Sequence, residues 1–151
     1  MFTKTHILLG LFVALYFLPY SNNKAIFFPV VLIASVIPDI DIILLSKKEY
    51  NLLRFFKSQT YKNFMHSYTL CIFISVLLAF YYPLFAFPFF LGYSFHLFFD
   101  SLTTLGTNPF WPLKVKSQGP IVPGGKAEEL INWVLITLNA FFAFKYLFYA
   151  N

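Results

Sequence analysis

Apolar residues run in long stretches along this chain, and the polar residues that interrupt them gather at the stretch ends. Five apolar segments are readable, at residues 6–20, 25–45, 64–82, 84–104 and 129–150. A helix needs about 20 apolar residues to cross a bilayer. The second, fourth and fifth segments meet that length, the third just does, and the first is short enough to suggest a tilt or a partly interfacial position. Pro83 and Pro88 mark the break between the third and fourth segments, because proline disfavours helix continuation. These two segments are expected to form a hairpin with a tight turn. The pattern predicts an all-α fold, a polytopic membrane bundle of four to five transmembrane helices in one integral membrane domain, 1–151.

Composition sharpens this. The chain is 59% hydrophobic and 23% aromatic with only 11% charged residues, against about 25% charged in soluble domains. A soluble globular class is therefore excluded, and 22 Phe and 10 Tyr suit rings that meet lipid and the interface. Only Lys4 precedes the first segment and no small-residue cleavage pattern follows it, so the segment is expected to stay in the mature protein. The single Cys71 lies inside an apolar run, where packing is its expected role.

The net charge of +5 does not point to nucleic acid, because the basic residues cluster in two loops. Residues 46–63 carry Lys47, Lys48, Arg54, Lys57 and Lys62, and residues 105–128 carry Lys114, Lys116 and Lys126. Excess Lys and Arg mark cytoplasmic loops and favour anionic lipid headgroups. Both loops are cytoplasmic only if the N-terminus is cytoplasmic and the C-terminus outside. A multi-pass cell-membrane protein in that orientation is the expectation, with membrane lipids as its surroundings.

That orientation, fixed by lysine and arginine alone, gathers every histidine and most carboxylates on one face. His6 opens the first segment, Asp39 and Asp41 lie near the close of the second, and His66 opens the third. His96 and Asp100 lie near the end of the fourth, and Glu128 and Glu129 open the fifth. Ionisable groups beside lipid are costly without partners. His96 and Asp100, four residues apart, share a helix face and can hold one ion together, and Gly92 one turn earlier permits close approach of a neighbouring helix. Asp39 and Asp41 flank Ile40 where a helix end disfavours acids, so helix capping does not explain them, whereas a cation would. Ser67 fits either a helix cap or a ligand contact, and Glu128 and Glu129 would in any case complement a helix dipole.

The run Gly92-Tyr93-Ser94-Phe95-His96-Leu97-Phe98-Phe99-Asp100-Ser101-Leu102-Thr103-Thr104-Leu105-Gly106, followed by Phe110-Trp111-Pro112, resembles the signature of the YdjM-like membrane-bound metal-dependent hydrolases, one branch of which is LexA-regulated. Thr5-His6, Pro38-Asp39-Ile40-Asp41, His66-Ser67 and the Ile121-Val122-Pro123 stretch leading to an acid resemble further family motifs, in the family's order. The family's His-Arg-Gly run ending in Thr-His-Ser is replaced here by Tyr61-Lys62-Asn63-Phe64-Met65-His66-Ser67, and Ile42 stands where a histidine often follows the second aspartate. A looser similarity of layout reaches the all-helical zinc-dependent phospholipases C and P1-type nucleases.

The resemblance implies a metal-dependent hydrolase. Its divalent metal, zinc in first place, would be held by His6, Asp39, Asp41, His66, His96 and Asp100. Glu129, favoured over Glu128 by the apolar residues after it, would be a ligand or general base, and Ser67 would serve as a catalytic or orienting hydroxyl. A small-molecule or lipid substrate, such as a phosphoester at the cytoplasmic membrane face, is the expectation from location. Two other readings use the same residues: a non-catalytic membrane scaffold with a structural metal, and a metal or proton transporter.

Overall fold

A computed structural model describes residues 1–40 and 64–149, and among these the secondary structure is helical, with two isolated β-bridges in the loop after residue 101. Helix α1 spans Thr3–Phe17 and runs into a 3-10 turn at Leu18–Tyr20; α2 spans Lys24–Ala34, α3 Tyr68–Tyr81, α4 Pro83–Ser101 and α5 Lys126–Tyr149. Thr3–Tyr20 and Lys126–Phe148 are long and apolar enough to cross a membrane, and α3 is a shorter apolar helix.

Local chemistry accounts for the helix boundaries. The Asn23 side chain accepts from the Ile26 N–H at 3.2 Å and starts α2. The second apolar segment, expected as one helix from 25 to 45, breaks earlier. After Ala34 the chain tightens into a 3-10 turn at Ile37–Asp39. Pro38 disfavours the α conformation at Ile37 and has no N–H to continue the ladder, while the Ser35 hydroxyl donates to the Leu32 carbonyl at 2.8 Å. Asp41 lies outside the described residues, as do Ile42 and Tyr61 to Asn63.

Between α3 and α4 only Tyr82 intervenes, and Pro83 opens α4, where its missing N–H would be unpaired in any case. Pro88 is a correction to the sequence reading, because it sits inside α4 rather than in the turn. Membrane helices tolerate such prolines when neighbouring helices pack against them, and Pro88 is buried.

Packing centres on α1, α2 and α4. Helix α1 lies against α2, α4 and α5, whereas α3 packs on α4 alone among the larger helix contacts. Leu9, Val13, Val31, Leu91 and Leu135 form one buried cluster, and Ala34, Cys71, Phe89, Tyr93 and Leu97 a second. Gly92 sets the α2–α4 spacing, since a Cβ there would run into the Val31 carbonyl and lie 2.9 Å from the Ala34 Cβ. Gly92→Ala is expected to cost about 1–3 kcal/mol, read as a lowered midpoint of thermal unfolding in detergent. An unchanged midpoint would show that the two helices separate freely.

Helix directions follow from these contacts. The start of α1, the segment after α2, the start of α3, the end of α4 and the start of α5 all meet at one end of the bundle. The polar residues at the segment ends are thereby brought together.

Candidate metal centre

Each imidazole at this end is delivered by a different part of the chain. His6 sits in the first turns of α1, His66 lies just ahead of α3, and His96 is in the last turns of α4. Asp39 comes from the 3-10 turn after α2, and Asp100 stands one turn beyond His96. All five are buried.

The three Nε2 atoms converge on the two carboxylates. His6 Nε2 lies 3.1 Å from Asp100 Oδ1 and 4.0 Å from Asp39 Oδ2. His66 Nε2 lies 3.3 Å from Asp39 Oδ1 and 3.5 Å from Asp100 Oδ2. His96 Nε2 is 3.5 Å from Asp100 Oδ2 and 3.9 Å from Asp39 Oδ1. The His6 and His96 rings stack with centroids 3.7 Å apart, and His66 meets His96 edge-on at 5.4 Å. The groups His6, His96, Asp100 and Asp39, His66, His96 each bring ligand atoms within 4.8 Å of one another, and they share His96.

One hydrogen bond decides what this arrangement can hold. His96 Nδ1 faces the Ser35 carbonyl at 2.8 Å, and a carbonyl only accepts, so Nδ1 carries the proton. In the neutral ring Nε2 is then a bare lone pair. It is buried without a hydrogen-bond partner, and the groups it faces are carboxylate oxygens, which are also acceptors. A lone pair pointed at carboxylates in a buried site calls for a cation between them. His6 and His66 can each turn an Nε2–H toward Asp100 and Asp39, at 3.1 and 3.3 Å, but charging both His6 and His96 would stack two positive rings at 3.7 Å, a repulsion that one shared cation avoids. Three imidazoles and two carboxylates also suit a divalent transition metal, so the buried His/Asp groups can hold a metal ion. The Ser35 carbonyl fixes the His96 tautomer and ring orientation.

Glu128 and Glu129 have separate environments. Glu128 is buried, and its Oε1 accepts from the Phe2 N–H at 2.7 Å and the Thr5 hydroxyl at 2.6 Å. Its Oε2 accepts from the Gly124 N–H at 2.7 Å. Gly124 turns with φ +77°, a conformation that glycine adopts without strain, and a Cβ there would meet the Phe2 ring. Glu129, the acid favoured from sequence, is exposed. Ser67 is buried but serves as the N-cap of α3: its Oγ accepts from the Leu70 N–H at 3.3 Å and donates to the Phe64 carbonyl at 2.7 Å.

Two groups at the cluster leave no signal in the pattern of side chains. The Ser35 carbonyl is a backbone group, invisible to any reading of side-chain types. The Met1 amine, which donates to Asp100 Oδ1 at 2.6 Å, reaches the cluster only through the tertiary fold.

The YdjM inner membrane protein family matches the chain over residues 1–150. No curated protein and no solved structure matches it. The family match, together with the two apolar helices, assigns the chain to a membrane.

Proposed function

Because this chain belongs to the YdjM inner membrane protein family, we propose that its buried His/Asp cluster is the centre of a membrane-bound, metal-dependent hydrolase. The observation that carries this reading is the His96 lone pair, fixed by the Ser35 carbonyl and aimed at two carboxylates. The bundle spans the membrane several times with its N-terminus cytoplasmic, zinc is the metal, and the substrate is a phosphoester or another amphiphile reached at the cytoplasmic face. A bound zinc ion supplies Lewis-acid polarisation of the scissile group and acidifies water at neutral pH.

The chain's own residues divide the work. His6, His66 and His96 would supply neutral nitrogen donors to the ion and Asp100 a carboxylate oxygen, donor types that suit zinc. Asp39 has fewer polar contacts than Asp100 and would be the carboxylate free to accept a proton from water at the site. Glu128 positions rather than reacts, because its carboxylate already accepts three hydrogen bonds.

Asp39→Asn is therefore expected to retain metal and lose turnover. With bis(p-nitrophenyl) phosphate as probe, the rate should fall by about 100-fold or more. Full activity in that variant would remove Asp39 from the mechanism.

A second reading has its own support. Glu128 and Ser67, the two side chains outside the cluster best suited to chemistry, are both occupied in structural hydrogen bonds. A scaffold whose metal staples four chain segments would present the same geometry. Wild-type protein loaded with zinc that turns over neither phosphomonoester nor phosphodiester probes would favour the scaffold. Transport is the weaker alternative, because the cluster sits at helix ends and transport sites lie near the bilayer midplane.

A further inference from the structure

On the outer face of α3 and α4, away from the His/Asp cluster, an open groove of about 310 Å³ is lined by Tyr68, Ser94, Phe95 and Phe98. Its walls are mainly apolar, with the Tyr68 hydroxyl donating to the Ser94 carbonyl at 3.2 Å. The loop that follows α4 reaches the rim. Pro109 accepts from the Tyr68 N–H at 2.7 Å, and the Phe110 ring stands 6.4 Å from the Tyr68 ring. Beyond Phe110 the chain turns, with the Leu113 N–H bonded to the Phe110 carbonyl at 2.8 Å, and then alternates Leu113, Lys114, Val115 and Lys116. Leu113 is 63% and Val115 54% exposed, and both lysines are exposed as well.

Exposed apolar side chains interleaved with lysines suit a surface that is apolar below and negatively charged above. A helix face in lipid would need only the apolar half, and a loop in water only the basic half. We propose that the groove and this loop together form a binding site for an anionic glycerophospholipid. One acyl chain lies against Phe95 and Phe98, and the headgroup phosphate pairs with Lys114 and Lys116. Each lysine near an anionic membrane surface raises local lipid occupancy by a factor of about five. The site does not depend on the hydrolase reading, because it needs neither metal nor turnover.

Trp111 reports on the loop, and the chain has only two tryptophans, so Trp133→Phe leaves Trp111 as the sole indole. The variant is placed in nanodiscs of phosphatidylcholine containing a minor fraction of phosphatidylglycerol. Bromine is carried on the acyl chains of the phosphatidylglycerol in one preparation, and of an equal amount of phosphatidylcholine in the other. Quenching of Trp111 is expected to be at least about twofold stronger when the anionic lipid carries bromine. Lys114→Gln with Lys116→Gln should abolish that preference, and Ser94→Phe, which fills the groove, should weaken it. The lysines are exposed, so their replacement leaves the fold intact. Equal quenching by the two lipids, or a preference that survives the double lysine replacement, would overturn the proposal; a preference unaffected by Ser94→Phe would overturn the groove's part in it.

Discussion

Protein purified in mild detergent is expected to carry at least one equivalent of a divalent transition metal, and His96→Ala to carry almost none. Replacing the outer partner of a metal-bound histidine already costs about 10–100-fold in affinity, so removing the imidazole itself should cost about 100-fold or more. His96 is the residue to choose because its Nε2 is common to both groups of potential ligands. Its ring is also the one whose tautomer is fixed, by the Ser35 carbonyl at 2.8 Å. His6 and His66 have no hydrogen-bond partner at Nδ1, and are held instead through Nε2, at 3.1 Å from Asp100 and 3.3 Å from Asp39. Elemental analysis of wild type and variant, repeated after zinc reconstitution, provides the measurement. Equal metal in both proteins would remove His96 from the site. Absence of metal from both, even after reconstitution, would mean that the cluster is a hydrogen-bonded helix staple, and the hydrolase proposal would fall with it.

The reading of ionisable residues at segment ends was informative because lipid penalises unpaired charge on either side of them. His6, Asp39, His66 and the His96–Asp100 pair belong to four separate stretches of sequence, and the structure brings all five residues within ion-pair distance. What the sequence pattern could not supply was detail below one helical turn. The break after Ala34 depends on a serine bonding back to its own helix and on Pro38, which an unbroken apolar run conceals. Pro88 reads as a helix breaker by local rule, yet burial in α4 against its neighbours overrides the rule. Which of Glu128 and Glu129 faces the bundle is legible in the sequence. Glu128, Asn132, Leu135 and Asn139 recur at helical spacing and are all buried, so they form the face that α5 turns toward α1. Glu129 falls with Trp133 and Ile136 on the exposed side. Periodicity over the whole helix, rather than the residues next to the acid, picks out Glu128 as the buried member of the pair.

That face leads to the second large effect, expected in Glu128→Ala. The carboxylate satisfies three donors from two chain segments: the Phe2 N–H and Thr5 hydroxyl at the start of α1, and the Gly124 N–H ahead of α5. Truncation leaves all three without an acceptor in a site that excludes most water, at about 1 kcal/mol or more for each, so a loss of about 3 kcal/mol is expected. Glu129→Ala removes an exposed side chain and should stay within about 0.5 kcal/mol of wild type. The two variants therefore form a paired test, read as unfolding midpoints in detergent. The consequence should also reach the metal, because Thr5 immediately precedes His6 and the same bonds fix the start of α1 against α5. Glu128→Gln keeps one acceptor oxygen and should recover part of the stability, so any loss of metal in that variant can be separated from unfolding. If Glu129→Ala proved the more damaging substitution, the buried carboxylate would not be what fastens α1 to α5, and the role given to Glu128 would be wrong.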